Sequence, residues 1–177
     1  MRAAGFFADI ESLFDAYFLN GFINTTDLKC ALMGMRKVTD KPIFASVDVD
    51  AQGNIAGEAG SLVDAVRVMA EYGAQVVGFA TAGDPGQAAA LVTQAKAVNP
   101  MLPTLVQLSV REIDPEQKHP TPEDPYPSPD AIADAADALK AAGAQFLRAV
   151  GNATPSYTGA LVAATLGDLC SIDAIDE

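Results

Sequence analysis

The chain has 177 residues, of which 50% are hydrophobic, and its formal net charge at pH 7 is −12. The length suits a single domain spanning residues 1–177, and the apolar fraction is sufficient for a packed core. The excess of acids disfavours nucleic acid and anionic membranes as partners. The sequence shows neither an apolar run of membrane-spanning length nor a signal-peptide pattern, so we expect a cytoplasmic protein.

Helix-like and strand-like segments alternate along the chain. The sequence predicts helices at about 3–13, 26–37, 62–72, from Pro85, 129–142 and from Pro155, and strands at 15–20, 42–48, 75–80, 104–109 and 145–150. Thr25 or Thr26 is expected to open the second helix and Ser61 the third, and Asp84 with Gln87 reads as a capping box. Short strands rich in Val, Leu, Ile and Phe are typical of a parallel sheet covered on both faces.

The loops differ in length at the two ends of the predicted strands. Strand-to-helix links include 49–60 and the proline-rich segment 110–127, whereas helix-to-strand links are as short as Gly73-Ala74 and Gly143-Ala144. In parallel α/β folds, functional groups lie at the carboxyl ends of the strands. We therefore expect function on the face that carries the longer loops.

A short pattern occurs twice. Residues 73–85 and 143–155 both begin Gly-Ala-Gln, continue through a strand and end in a helix-opening proline. Equivalent strand–helix units favour a barrel or another wound parallel sheet. The alignment places Thr81 opposite Gly151, just past the two strand ends.

Four segments in order resemble the second half of the zinc-dependent homocysteine S-methyltransferase family. They are FDAYFLN at 14–20, KVTDKPIFASVDVDAQGNIAGEAGSLVDAV at 37–66, YGAQVVGFATAGDP at 72–85 and AGAQFLRAVGNATP at 142–155. The similarity extends from about residue 5 to residue 166. It implies a partial TIM-like (β/α) barrel of about five parallel strands with helices outside. An open flavodoxin-like parallel sheet, which also has five strands, is the alternative.

The family that this chain resembles holds zinc through three cysteines, and the zinc ion activates the thiol of homocysteine. The corresponding positions here carry Thr81, Val150 and Gly151, and the family's amine-binding glutamate corresponds to Asn20. The resemblance therefore implies a lost zinc site, with no metal and no cofactor. It implies a chain that is not active alone and that binds a small ligand or a partner in methyl-transfer or one-carbon metabolism. Two alternatives are an S-methyltransferase component completed by another chain and an unrelated small-ligand-binding α/β domain.

The resemblance also bears on assembly. The family barrel has eight strands, so an arc of five would leave two strand edges and an apolar inner surface uncovered. Open strand edges favour pairing with another chain. We expect a homo-oligomer or a partner chain across these edges, with a possible small-molecule ligand and with neither nucleic acid nor membrane as partner.

Five residues are candidates for ligand binding: Asn20, Asp48, Thr81, Arg148 and Asn152. Asp48 ends a strand and suits a cation or a substrate amine, although carboxylates are also common in turns. Asn20 lines a pocket or forms a turn with the glycine that follows it. Thr81 and Asn152 suit hydrogen bonds to a small neutral ligand. Arg148 either points inward, where it needs an anionic ligand or a carboxylate such as Asp48, or points outward with its stem packed between helices.

Four further polar residues have simpler interpretations. Asp50 follows the same strand as Asp48 and is the weaker cation candidate of the two. His119 is the only histidine and is expected to be a solvated loop residue. Cys30 and Cys170 are too far apart in the chain for a disulfide framework, and both are expected to be buried.

Overall fold

The computed structural model describes residues 13–112, 116–117 and 119–166. The five strands are β1 (Tyr17–Phe22), β2 (Ile43–Asp48), β3 (Val76–Thr81), β4 (Thr104–Val110) and β5 (Phe146–Gly151). The helices are α1 (Thr25–Met35), α2 (Leu62–Glu71), α3 (Pro85–Val98), α4 (Pro129–Ala141) and α5 (Pro155–Leu166). These bounds lie within about two residues of those expected from the sequence. The helix expected at about 3–13 lies outside the described residues, apart from its last position.

The strands form one parallel sheet in the order β1-β2-β3-β4-β5. A flavodoxin-like sheet would have the order 2-1-3-4-5, so that alternative is wrong. Sequential parallel order with alternating helices is the arrangement of a (β/α) barrel, and the expected partial TIM-like barrel is confirmed. None of the described helices is long and apolar enough to cross a bilayer.

The sheet curves strongly, and one ring contact shows by how much. Phe44 on β2 and Phe146 on β5 have ring centroids 5.0 Å apart, although their strands are three positions apart in the sheet. In a flat sheet that separation would be about 14 Å, because neighbouring strands lie about 4.8 Å apart. The five strands therefore form a half-barrel, whose inner face carries both rings.

Successive helices cover the outer face of the sheet. Outward-facing strand residues such as Ile43, Val47 and Phe79 are fully buried beneath these helices. Burial of a side chain of this size stabilises the fold by about 1.5–3 kcal/mol. The core thus lies between the sheet and the helices, which leaves the inner face free to form a site.

The starts of α1 to α4 follow the expected capping chemistry with one exception. Ser61 at α2 and Asp84 with Gln87 at α3 form capping boxes. The exception is α1, where Asn24 rather than Thr25 or Thr26 is the N-cap. Its side-chain oxygen accepts a 2.7 Å hydrogen bond from the Asp27 backbone N–H. Asparagine is as effective as serine or threonine at this position.

The repeated Gly-Ala-Gln pattern has a structural cause. Gln75 Oε1 accepts a 2.8 Å hydrogen bond from the backbone N–H of Ile43, which is the first residue of β2. Gln145 Oε1 accepts an equivalent 2.8 Å bond from Thr104, which is the first residue of β4. Each glutamine therefore fixes the start of the strand that precedes its own.

A cationic side chain completes each of these units. Lys96 Nζ donates to Gln145 Oε1 at 3.0 Å, and Arg36 Nη2 donates to Gln75 Oε1. Arg36 also donates through Nη2 to the Gly73 carbonyl at 2.6 Å. The cations come from the C-cap of α1 and the last turn of α3, so each unit ties a helix end to two strands at the amino-terminal end of the sheet.

The exposure of two residues can be compared with the expectations from the sequence. Cys30 is exposed on α1, so its expected burial is wrong. The buried face of that helix is formed by Leu28, Leu32 and Met35 instead. Cys170 lies outside the described residues. His119 is exposed in the long loop, as expected.

Candidate functional site

A cavity of about 480 Å³ opens at the carboxyl ends of the strands. All five strands or the residues just after them contribute to its wall. Its polar side chains belong to Asn20, Asp48, Thr81, Gln107 and Ser109. The site therefore lies on the face where the longer loops placed it.

Asp48 carries the negative charge of the cavity. Strand alternation places it on the inner face with Phe44 and Ser46, and it is half-buried. Its carboxylate makes no hydrogen bond or ion pair with any residue in the described part of the chain. Burial raises the pKa of this carboxyl above its ordinary value, because removal from water penalises the charged form. An ionised Asp48 is thus an acceptor without a partner among the described residues.

A chain of hydrogen-bonded polar side chains, buried at two of its three members, runs beside Asp48 on the inner face. Gln107 Nε2 donates a 2.7 Å hydrogen bond to Ser46 Oγ, and both residues are 1% exposed. Arg148 Nη1 in turn lies 3.4 Å from Gln107 Oε1, to which it donates. Each partner fixes the orientation of the next, so Gln107 is held from both of its amide atoms.

Arg148 takes the inward of its two expected orientations. It is the register partner of the inward-facing Gln107, and its hydrogen bond reaches that side chain. The proposed pairing with Asp48 is wrong, because the partner of the guanidinium is an amide oxygen. Its positive charge therefore has no carboxylate to neutralise it within the described residues.

Asn20 reaches the cavity from an irregular strand. The pairing register of β1 with β2 shifts between Leu19 and Phe22, and Gly21 has φ +77°. This is a β-bulge, in which glycine supplies the left-handed conformation. Asn20 and Gly21 thus lie inside β1, and their interpretation as a simple turn is wrong.

Thr81 and Asn152 are placed differently from one another. Thr81 is 2% exposed, and its hydroxyl oxygen accepts a 3.1 Å hydrogen bond from the Gly83 backbone N–H in the turn that leads into α3. Asn152 is exposed outside the cavity wall, and its backbone N–H donates to the Val110 carbonyl at 3.0 Å. Asn20, Asp48 and Thr81 thus line the same cavity. Arg148 is exposed beside the cavity and is linked to it only by its hydrogen bond to Gln107, and Asn152 lies outside.

Asp50 has a structural task. Its Oδ1 accepts 2.9 Å hydrogen bonds from the backbone N–H groups of Gln52 and Asn54, and its Oδ2 accepts from Asn54 Nδ2 at 2.8 Å. These bonds, first of all the one from the Asn54 side chain, lower the pKa of Asp50. The residue organises the turn after β2 and lies outside the cavity wall.

Sequence inspection did not find Ser46, Gln107 and Ser109. All three lie in short strands that otherwise read as apolar. The available signal was their period of two: Ser46 alternates with Asp48, and Gln107 with Ser109. In a barrel, such alternation marks the inner face.

The long loop between β4 and α4 is anchored close to the site. Tyr126 is fully buried, and its hydroxyl donates a 2.8 Å hydrogen bond to the Gly83 carbonyl. Tyr157 on α5 donates from its own hydroxyl to the Tyr126 carbonyl at 3.2 Å. Burial, and secondarily the charge of Asp84, raises the pKa of Tyr126 far above its ordinary value. The end of the loop is thereby tied to the turn that follows β3.

The three positions that the sequence resemblance aligns with zinc cysteines do not fit a zinc–thiolate centre. The Thr81 hydroxyl is engaged by Gly83, and Val150 has no donor atom. Gly151 has φ +74°, and a Cβ there would lie 2.5 Å from the Val110 carbonyl oxygen. Within the described residues, no three His, Cys, Asp or Glu side chains come together as a metal site would require.

Comparisons with known proteins bear on the fold. No family model and no curated protein sequence matches the chain. Among solved structures, the oxidised form of the homocysteine methyltransferase MmuM from Escherichia coli is 16% identical, with a TM-score of 0.64 over 84% of this chain and 45% of that one. The 2,3-dimethylmalate lyase, of the PEP mutase/isocitrate lyase superfamily, is 14% identical with a TM-score of 0.61. The matched region covers 96% of this chain and 59% of the lyase.

A third match widens the range of chemistry. YagE, a prophage protein of the dihydrodipicolinic acid synthase family from E. coli K12, is 12% identical with a TM-score of 0.56, covering 94% of this chain and 53% of its own. The chain therefore spans about half the length of these solved structures. At such identities the matches establish a TIM-barrel type of fold, which hosts many unrelated reactions.

Proposed function

We propose that the chain binds a small organic cation at the carboxyl ends of its strands and lacks zinc-dependent catalysis when alone. The observation that carries the proposal is the half-buried Asp48 carboxylate, which lines the cavity without a partner among the described residues. A buried charge without a partner is costly, and a ligand ammonium group would remove that cost.

The neighbouring groups suit a polar ligand. Asn20 and Ser109 place an amide and a hydroxyl on the same wall as Asp48. Gln107 is already bound by two protein groups, so it serves as a fixed part of the wall. A ligand ammonium has three N–H donors, of which one or two would meet Asp48 and the others the neutral acceptors.

Methyl-group or one-carbon metabolism is the setting that we propose for this ligand. It rests on the resemblance of the four sequence segments to homocysteine S-methyltransferases, to which the likeness in fold with MmuM adds a similar scaffold. L-Homocysteine and L-methionine are therefore the first compounds to test, beside simple primary and quaternary amines. The absence of thiolate donors at residues 81, 150 and 151 favours binding without methyl transfer.

Isothermal titration at neutral pH tests the proposal. We expect at least one amine of this panel to bind, and Asp48→Asn to weaken it about 10- to 100-fold, because a hydrogen bond to a charged group contributes about 1.5–3 kcal/mol. Asp134→Asn is the matched control, since Asp134 is exposed on α4 outside the cavity wall. The proposal fails if no amine binds, or if Asp48→Asn and Asp134→Asn bind it equally.

A second candidate function is that of one part of a barrel completed by another chain. The two edge strands favour it, because Phe18 on β1 is 52% exposed and Phe146 on β5 is 39% exposed, both on the inner face. Both rings contact Phe44, at centroid distances of 4.4 and 5.0 Å. A complementary segment of parallel strands would cover these rings and pair the strand edges. Methyl transfer that appears only with such a segment present would favour this candidate over the first.

A further inference from the structure

Two opposite charges face the half-barrel interior. Among the described inward-facing strand residues, the only charged side chains are Asp48 on β2 and Arg148 on β5. They lie at the two ends of one cross-strand row, in which Asp48 pairs with Ala80, Ala80 with Gln107, and Gln107 with Arg148. The sheet therefore presents an anion and a cation at the same level of the barrel.

The two charges do not neutralise each other. Asp48 makes no hydrogen bond to any described side chain, and Arg148 donates to the neutral oxygen of Gln107. Gln107, which lines the cavity, is itself tethered to Ser46 at 2.7 Å. Its bond from Arg148 therefore brings the exposed guanidinium to the side of the cavity, although Arg148 does not belong to the cavity wall. Three strand spacings of about 4.8 Å separate the two residues along the sheet.

The strand β3 presents little volume between the charges, and the Gln107 side chain that crosses it forms the floor of this span. The β3 residues that face inward at this level are Gly78 and Ala80, which have the smallest side chains. Ala80 and Gln107 both belong to the cavity wall. A ligand lying across β3 would thus reach Asp48 with one end and Arg148 with the other.

We propose that the cavity selects ligands that carry a cationic and an anionic group at separate ends, with the cation at Asp48 and the carboxylate or other oxyanion at Arg148. This inference rests on the proposed function, to which it adds the anionic end of the ligand. Arginine suits this task because its planar guanidinium binds a carboxylate through two parallel hydrogen bonds. One dipolar ligand would satisfy both charges, whereas a simple amine would satisfy only Asp48.

A series of linear ω-amino acids measures the distance that the ligand must span between the two charges. The series from 3-aminopropanoate to 6-aminohexanoate changes the separation by one methylene at a time, and butylamine and butyrate each lack one charged end. We expect one member of the series to bind at least 10-fold tighter than butylamine in isothermal titration at neutral pH. Butyrate should bind more weakly than that member as well.

Substitutions separate the two ends. In Arg148→Met we expect the preferred amino acid to bind no tighter than butylamine, and in Asp48→Asn we expect both to bind weakly. Arg148→Lys, which keeps the charge but loses the planar fork, should retain part of the preference. Arg67→Met is the matched control, because Arg67 is exposed on α2, and it should keep the full preference. Circular dichroism checks that each variant is folded.

Each outcome decides one of the two proposals. If butylamine binds through Asp48 but every amino acid binds with the same affinity, the dipolar ligand is wrong and the proposed function stands. If the preference for the amino acid survives in Arg148→Met, the role of Arg148 is wrong. If no compound of the series binds, and no amine of the wider panel binds either, both proposals are wrong.

Discussion

The side-chain amide of Gln107 on β4 donates a 2.7 Å hydrogen bond to the hydroxyl oxygen of Ser46 on β2, across the intervening strand β3. A side chain can cross a neighbouring strand in this way only where that strand presents little volume. The structure provides this at Gly78, which pairs with Ser46 on one side and with Leu105 on the other. The floor of the cavity thus depends on a position without a side chain.

Gly78→Ala should destabilise the protein. A Cβ at this position would lie 2.7 Å from the Leu105 carbonyl oxygen and 2.9 Å from Leu105 Cβ. Because backbone must move to relieve that contact, we expect a loss of about 1–3 kcal/mol in the free energy of unfolding. Chemical denaturation measures it.

Gly34→Ala is the control for that substitution. Gly34 lies in α1, and an added Cβ would meet nothing within 4 Å. Alanine there should stabilise the protein by about 0.4–1 kcal/mol, since it restricts the unfolded chain. Equal effects of the two substitutions would show that the close approach of β3 and β4 is not what makes Gly78 necessary.

Asp48→Asn should change how stability depends on pH. Burial raises the pKa of this carboxyl in the folded state, so the folded protein keeps the proton to a higher pH than the unfolded chain does. As the pH rises from the ordinary value of 3.8, the unfolded chain ionises first and the folded state loses stability until its own pKa is passed. Asparagine does not titrate, so the stability of the variant relative to the wild type should increase with pH and then level off.

Asp50→Asn provides a comparison of opposite sign. Hydrogen bonds, first that of Asn54, lower the pKa of Asp50, so its contribution to stability is present above the unfolded-state pKa and is lost as the pH falls. The stability of this variant relative to the wild type should therefore decrease as the pH rises. Denaturant titrations between pH 3 and pH 7 measure both slopes, and equal signs would contradict the assignment of the two aspartates.

Gln145→Ala should weaken the amino-terminal end of the half-barrel. The substitution removes the acceptor for the Thr104 backbone N–H at 2.8 Å and for Lys96 Nζ at 3.0 Å. We expect a loss of about 1–3 kcal/mol, because the backbone N–H of the buried Thr104 is left unsatisfied. Gln94→Ala on the exposed side of α3 is the matched control. A similar loss of stability there would contradict the assignment of Gln145 as the residue that fixes the start of β4.

Much of the architecture could be read from the sequence because its local signals agree. Ser61, Asp84 and Pro129 mark helix starts that the structure reproduces, and the period of the apolar residues changes where strands begin. The predicted cap of α1 is wrong because Asn24 competes with two adjacent threonines for the N-cap position. Propensity alone does not choose among residues that cap equally well.

The site was less predictable, since its geometry arises from pairing between strands. The bulge at Gly21 and the hydrogen bond from Arg148 to Gln107 depend on register, which the sequence of one strand does not specify. Asp48 was the exception. It ends a strand on the face of the longer loops, where general rules for parallel folds already place function.

Introducing cysteines at the three positions that resemble the zinc ligands should not create a zinc site. In the triple variant Thr81→Cys, Val150→Cys and Gly151→Cys, the third substitution forces a Cβ to 2.5 Å from the Val110 carbonyl oxygen at φ +74°. Strain of this kind costs about 1–3 kcal/mol. We expect lower stability and less than one equivalent of tightly bound zinc by metal analysis after dialysis. One equivalent of zinc in a protein of wild-type stability would be the contrary result.

The purified chain should associate with a second copy of itself as its concentration rises, because the exposed rings of Phe18 and Phe146 lie beside strand edges that pair with no other strand in the described part of the chain. Light scattering coupled to size exclusion measures the mass.

Phe146→Ser should shift the distribution toward the monomer. Met101→Ser, at a residue 87% exposed in the α3–β4 loop, should leave it unchanged. A monomer at all concentrations would contradict the expectation.

Sequential strand order also has a consequence for biosynthesis. Each strand pairs with the one synthesised just before it, as Tyr17 does with Ile43 and Phe44 with Val76. Neighbouring strands are separated in the sequence by one helix and its loops, and chains on the ribosome acquire structure from the amino-terminal side. The nascent chain can therefore add one strand and one helix at a time as it emerges, and no strand has to wait for a distant partner to be translated.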